Sequence, residues 1–155
     1  MRTIEDDAAL KILADVIKIP SVNDHELTVA KYLQALLAKY DISAKIYPIT
    51  GDRANLVAEI GHGQPVLAVS GHMDVVAAGD LAAWDTDPFT LVEKSGQLFG
   101  RGVTDMKAGL VALVVAMINI QQQGGPKHGT IRLLATVGEE VGEAGSAAFY
   151  QQGAM

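Results

Sequence analysis

The sequence predicts an α/β domain of three layers, α/β/α, with helices on both faces of a central sheet that is mostly parallel or mixed. After Pro65 the elements run strand, loop, helix, strand, loop, helix, an alternation that lays helices across the faces of a sheet. The stretch Val66 to Val69 is a continuous apolar run of the kind expected of a buried strand, and Thr130 to Val137 reads as a second buried strand. Composition agrees: over 155 residues, 49% are hydrophobic and 19% charged. That supports one compact core and excludes disorder, collagen and coiled coil.

Taken in order, Thr3-Ile4-Glu5-Asp6 has the form of a helix N-cap, and Leu10, Leu13 and Ile17 share one face until Pro20 stops the pattern. A second helix follows Asn23, which precedes Glu26 by one capping-box interval, and continues through Ala30, Leu33, Leu37 and Tyr40. Alternation from Ala44 to Pro48 predicts a strand with one wet face, and Pro48 assigns it to a sheet edge because proline cannot donate to the ladder. Thr50-Gly51-Asp52 turns the chain into a returning strand, Asn55 to Ile60, and Gly61-His62-Gly63 turns it again into Val66 to Val69, expected to be buried on both faces. From Ala77 to Gly102 the pattern fails, and loops of that length inside a compact domain are commonly functional. A third helix is expected from Met106 to Gln122, a buried strand from Thr130 to Val137, and a short helix from Gly145 to Gln152.

Charge and residue usage narrow the chemistry. With 12 Lys and Arg against 18 Asp and Glu the formal charge is −6, and no basic run exists, so nucleic acid is excluded as the expected partner. There is no cysteine, which leaves His, Asp and Glu as metal ligands. The N-terminus lacks the basic and apolar regions of a signal peptide, giving the cytoplasm as the expected location. The longest apolar run, Ala108 to Ile118, is shorter than the roughly 20 residues a membrane helix needs, so no membrane partner is expected. No complete dinucleotide fingerprint, phosphate loop or Gly-x-Ser-x-Gly elbow is present.

The polar residues gather at one place on this sketch. Ser70-Gly71-His72-Met73-Asp74 follows one buried strand and Gly138-Glu139-Glu140-Val141-Gly142 the other, while Asp105 ends the long loop just before the third helix. Alone, a His-x-Asp is a loop feature, Asp105 an N-cap and Glu-Glu a solvated pair. Together they aim one histidine and four carboxylates at one sheet edge, where a divalent cation is the usual means of relieving their repulsion. His25, His62 and His128 read as surface residues, and Trp84 as a packing anchor for the long loop, with a substrate platform as its alternative.

Three motifs carry a resemblance to a known family: Ser70-Gly71-His72-Met73-Asp74-Val75-Val76, Leu98-Phe99-Gly100-Arg101-Gly102-Val103-Thr104-Asp105-Met106-Lys107, and Glu139-Glu140-Val141-Gly142. The chain resembles the zinc amidohydrolases and exopeptidases that include succinyl-diaminopimelate desuccinylase, acetylornithine deacetylase, aminoacylase and glutamate carboxypeptidase. The resemblance implies two Zn2+ ions, with Co2+ or Mn2+ as alternatives: His72 binding one, Glu140 the other, and Asp105 bridging. It implies that Asp74 accepts from the His72 imidazole, that Glu139 is the general base, and that the Asp105–Met106 peptide is cis. The substrate would be an N-acyl amino acid or short peptide. The desuccinylase or acetylornithine deacetylase branch is preferred over a dipeptidase or aminoacylase, with a non-catalytic binding module as the rival from another class. Family members are about twice this length or more, so residues 1–155 are expected to be the N-terminal part of the metal-binding catalytic domain. The remaining ligands, an acidic residue and a histidine, and a lid or dimerisation domain that makes a homodimer are expected downstream, and the 155-residue chain alone is expected to be inactive.

Overall fold

The computed structural model describes residues 4–153. Helices α1 (Asp6–Ile17) and α2 (Leu27–Ala38) precede a hairpin of β1 (Ala44–Thr50) and β2 (Arg53–His62), and β3 (Val66–His72) follows. The long connection carries a 3-10 turn (Leu81–Ala83) and a small hairpin, β4 (Val92–Lys94) with β5 (Gln97–Phe99). A π-helical turn (Val103–Lys107) leads into α3 (Ala108–Gln122), and β6 (Gly129–Thr136) and α4 (Ala144–Gln151) complete the order.

The main sheet runs β1-β2-β6-β3 and is mixed: β1 with β2 and β2 with β6 are antiparallel, and β3 with β6 is parallel. Pro48 lies on edge strand β1, as its missing N–H requires. Helices α1, α2 and α3 bury Leu13, Val16, Leu33, Leu37, Leu110, Val114 and Ile118 with Leu56, Ala58, Leu133 and Ala135 of the sheet in the main core. On the opposite face Phe149 of α4 packs with Val57, Leu134 and Tyr47, so the layers are α/β/α with the second helical layer thin.

Several expectations change on folding. The Thr3 cap lies outside the described residues, and α1 starts after Glu5 without a side-chain cap. Glu26 does not close a capping box; it is buried and paired with Arg53, while Tyr40 lies beyond the end of α2. Among the described residues β3 forms the other edge of the sheet, and Leu67 is 60% exposed. A run of apolar residues cannot itself report whether a neighbouring strand lies alongside. The connection after Ala77 is not featureless either, because Ser95 and Gly96, both at positive φ, make the two-residue turn between β4 and β5. Within it Trp84 acts as the expected anchor, donating from Nε1 to the Ala78 carbonyl at 2.9 Å with the Arg101 guanidinium 5.2 Å from its ring centre. By length and composition Val103–Gln122 would cross a membrane. In this fold the segment is broken by non-helical backbone at Asp105 and Met106, and Leu110, Val111, Val114, Met117 and Ile118 are buried in the domain core.

Candidate metal centre

Parallel pairing of β3 with β6 sets His72 opposite Thr136, so both strands end at the same edge and release their polar clusters side by side. Asp105 arrives there from the π-helical turn before α3. His72 Nε2 stands 2.9 Å from Asp105 Oδ1 and 3.6 Å from Glu139 Oε2. One donor atom each from His72, Asp105 and Glu140 lie within 4.8 Å of one another. An open cleft of about 350 Å³ lies beside them, reaching from Ser70 and His72 to Ser146 and Phe149. His25, His62 and His128 are exposed, His62 at the end of β2, whereas His72 is buried.

Each segment is held in place by contacts remote in sequence. The His72 Nδ1 lies 2.9 Å from the Asp74 carbonyl oxygen, which can only accept, so Nδ1 carries a proton and Nε2 is the nitrogen turned to Asp105. This differs from the expected partner, since the Asp74 carboxylate is 3.6 Å from Nδ1 and instead accepts from the backbone N–H of Glu140 at 3.0 Å and of Glu139 at 3.4 Å. Asp74 thus ties the histidine segment to the Glu139–Glu140 loop with its main chain on one and its side chain on the other. It is itself fixed by the flanking bonds of Met73 N–H to the Thr136 carbonyl and Val75 N–H to the Ser21 carbonyl. The Asp105–Met106 peptide is cis, and Met106 Sδ receives the His72 N–H at 3.3 Å. Just beyond, the fully buried Lys107 ammonium donates to the carbonyls of Val16 (3.0 Å) and Ile19 (2.7 Å), fastening the Asp105 turn to the end of α1. Burial draws the Lys107 pKa down to about 8.

The electrostatics suit a cation. Burial is the largest influence on His72 and favours the neutral ring, but the Asp105 hydrogen bond, the Asp74 carbonyl and the charges of Asp74 and Glu139 together raise its pKa. For Glu140, burial and then Asp105 raise the carboxyl above its ordinary value, Glu139 and Asp74 add to this, and only His72 opposes. Negative charges gathered this closely around Glu140 are a set a divalent ion would neutralise. One imidazole nitrogen with carboxylate oxygens fits zinc, and also cobalt or manganese.

Two residues that the sequence analysis did not single out stand behind the site. Arg53, 14% exposed, pairs with Asp24 at 3.0 Å and buried Glu26 at 3.2 Å, and its guanidinium rests against Gly138. Asn55 is fully buried between β6 and α4. The available signal was a polar side chain inside the apolar strand Ala54-Asn55-Leu56-Val57-Ala58.

Comparison with known proteins adds three observations. The family described as Peptidase family M20/M25/M40 matches residues 68–155. A Staphylococcus epidermidis protein named probable succinyl-diaminopimelate desuccinylase is 53% identical over 153 residues, covering 99% of this chain, which spans 38% of that relative's length. Among solved structures, an M20 family metallo-carboxypeptidase from Sulfolobus solfataricus superposes with a TM-score of 0.82 at 21% identity, over 96% of this chain and 34% of its own. Human carnosine dipeptidase 1 gives 0.80 at 21% identity, over 94% and 35%. At such identities the structures establish a common fold.

Proposed function

The chain belongs to peptidase family M20/M25/M40, and from that membership we propose that the whole protein is a two-zinc hydrolase of the amide bond of an N-acyl amino acid. N-succinyl-diaminopimelate is the favoured substrate, on the strength of the 53% identity to the relative of that name. The observation that carries the reading is the convergence of His72, Asp105 and Glu140 with Glu139 beside them.

In this reading His72 through Nε2, Glu140 through a carboxylate oxygen, and Asp105 would hold the zinc, which would supply an acidified water and an electrophile for the amide carbonyl. Glu139 is 52% exposed and is outside the donor triad, so its carboxylate is free to take a proton from the attacking water. The water oxygen bonds to the carbonyl carbon, the C–N bond breaks, and Glu139 passes the proton to the departing nitrogen. The products are a carboxylate, succinate for the favoured substrate, and a free amine. Asp74 keeps the imidazole and the Glu139–Glu140 loop in register through the bonds described above.

Catalytic zinc normally has about three protein ligands, more than His72, Asp105 and Glu140 could supply to two ions. We therefore assign the remaining ligands, and the lid or dimerisation domain of a homodimer, to residues outside these 155. The isolated segment is expected to bind zinc weakly and not to turn over. The test is to replace His72, Asp105 and Glu140 singly by Ala in the whole protein, count bound zinc, and assay N-succinyl and N-acetyl amino acids and dipeptides in parallel. Loss of zinc in each variant and preference for the N-succinyl substrate support the reading. Two zinc ions retained in all three variants, or preference for dipeptides, refutes the ligand set or the substrate respectively.

A further inference from the structure

We infer that Asn55 is a positioning residue for the proposed reaction: its buried carboxamide closes the loop that carries Glu139 and Glu140 and so sets both carboxylates against His72 and Asp105. The inference rests on the reading of the metal centre given above. Three residues of this loop lie at positive φ, Gly138 (+69°), Gly142 (+75°) and Glu143 (+54°). Its internal backbone bonds run from Val141 N–H at 3.3 Å and Glu143 N–H at 2.7 Å, both to the Gly138 carbonyl. A segment of this kind needs outside support to keep one conformation.

That support comes at its two ends. The β2–β6 ladder stops at Leu56 opposite Ala135, where β6 begins to leave the strand. One residue earlier on β2, Asn55 replaces the missing main-chain partner with its side chain. Its Oδ1 accepts from Val137 N–H at 3.1 Å, and its Nδ2 donates to the Gly145 carbonyl at 2.8 Å. Gly145 N–H in turn donates to the Val137 carbonyl at 2.9 Å. The carboxamide behaves as a peptide group inserted between strand end and helix start, and it satisfies the Val137 N–H where the strand ladder no longer does. Gly145 has no room for a Cβ, which would collide with the Val137 backbone and Asn55 Oδ1. The closure is therefore written into two positions. Asp74 holds the same loop from the opposite side through the Glu139 and Glu140 amides. His72 and Asp105 belong to other segments, so any shift of the closed ends alters the distances between ligands.

Asn55→Asp is the discriminating variant, because it keeps the acceptor for Val137 and turns the donor facing Gly145 into a second acceptor. In the whole protein we expect zinc affinity, measured by chelator competition, to fall roughly 10- to 100-fold. We expect kcat to fall with little change in KM, and amide exchange at Glu139 and Glu140 to quicken. Gly145→Ala should act in the same direction from the loop side. Val57→Ala, on the same strand and facing Phe149, should lower Tm while zinc affinity stays at the wild-type value, which separates positioning from general destabilisation. A folded Asn55→Asp protein with zinc affinity within about twofold of wild type overturns the inference; if that variant does not fold, the same result in Gly145→Ala does so. Should neither fold, amide exchange in the wild type decides: Glu139 and Glu140 opening together with the β2–β6 ladder supports the closure, and their opening independently of it overturns it. Wild-type protein that binds no zinc refutes the metal reading instead, while the exchange measurement still judges Asn55.

Discussion

Placing alanine at Gly138 probes how firmly the Glu139–Glu140 loop is seated. Gly138 has φ +69°, and an L-residue in the left-handed region costs about 1–2 kcal/mol. The added Cβ would also overlap the Arg53 guanidinium. That group can swing aside and keep exposed Asp24, but only by leaving Glu26, which is fully buried and whose Oε2 already has no partner. Breaking a buried pair from one side costs about 3–5 kcal/mol, so Gly138→Ala should cost about 4 kcal/mol or more. Gly142 supplies the internal control: its φ is +75°, but nothing lies within 4 Å of its added Cβ, so Gly142→Ala should lose only the backbone term. The expected difference of about 3 kcal/mol corresponds to about 6–12 °C in Tm for a chain of this size. Urea and thermal unfolding of the metal-free variants measure it, and a Glu26→Gln background should shrink the excess, since the buried charge is then gone. Stabilities of the two alanine variants agreeing within about 1 kcal/mol would refute the claim that the guanidinium is held in place.

Glu139→Gln should keep zinc while turnover falls about 10²- to 10⁴-fold, because an amide cannot accept and return the proton; near wild-type kcat at saturating zinc removes Glu139 as the base. Asp74→Asn replaces one of the two acceptors facing the Glu139 and Glu140 amides with a donor, and zinc affinity or activity should drop roughly 10- to 100-fold; chelator competition identical to wild type argues against this. Burial, and then Asp15 at 3.1 Å from its hydroxyl, push the Tyr32 pKa above its ordinary value. Above pH about 10 the unfolded chain therefore releases a proton that the folded chain retains, so stability falls as pH rises. Tyr32→Phe should flatten that decline, and parallel stability curves for the two proteins between pH about 9 and 11 would contradict it.

Local pattern made much of the architecture legible. Periodicity located α1 and α2 to within a few residues, Pro48 placed β1 at an edge, and the strand-loop-helix order brought the His72, Asp105 and Glu140 segments to one side. What escaped notice depends on contacts remote in sequence. Glu26 has the spacing of a capping residue, yet Arg53 draws it into the interior. The Asp74 carboxylate faces backbone amides some sixty-five residues away, which no short motif encodes. Asn55 reads as one polar interruption in a strand, and its partners Val137 and Gly145 are known only once β2 and β6 are paired. Exposure of β3 is the same kind of fact, because membership of a sheet edge is a property of the neighbour and not of the strand.

The parallel register of β3 and β6 also governs when the centre can come into being. His72 and Glu140 sit at the ends of strands joined by a connection that includes the whole of α3, and the cost of closing that loop must be met by apolar burial before the ligands share a volume. A cation would find these donors together only once that closure is made. On the proposed function, ions held there would act as a kinetic lock, deepening the native well by the free energy of their binding and slowing escape from it.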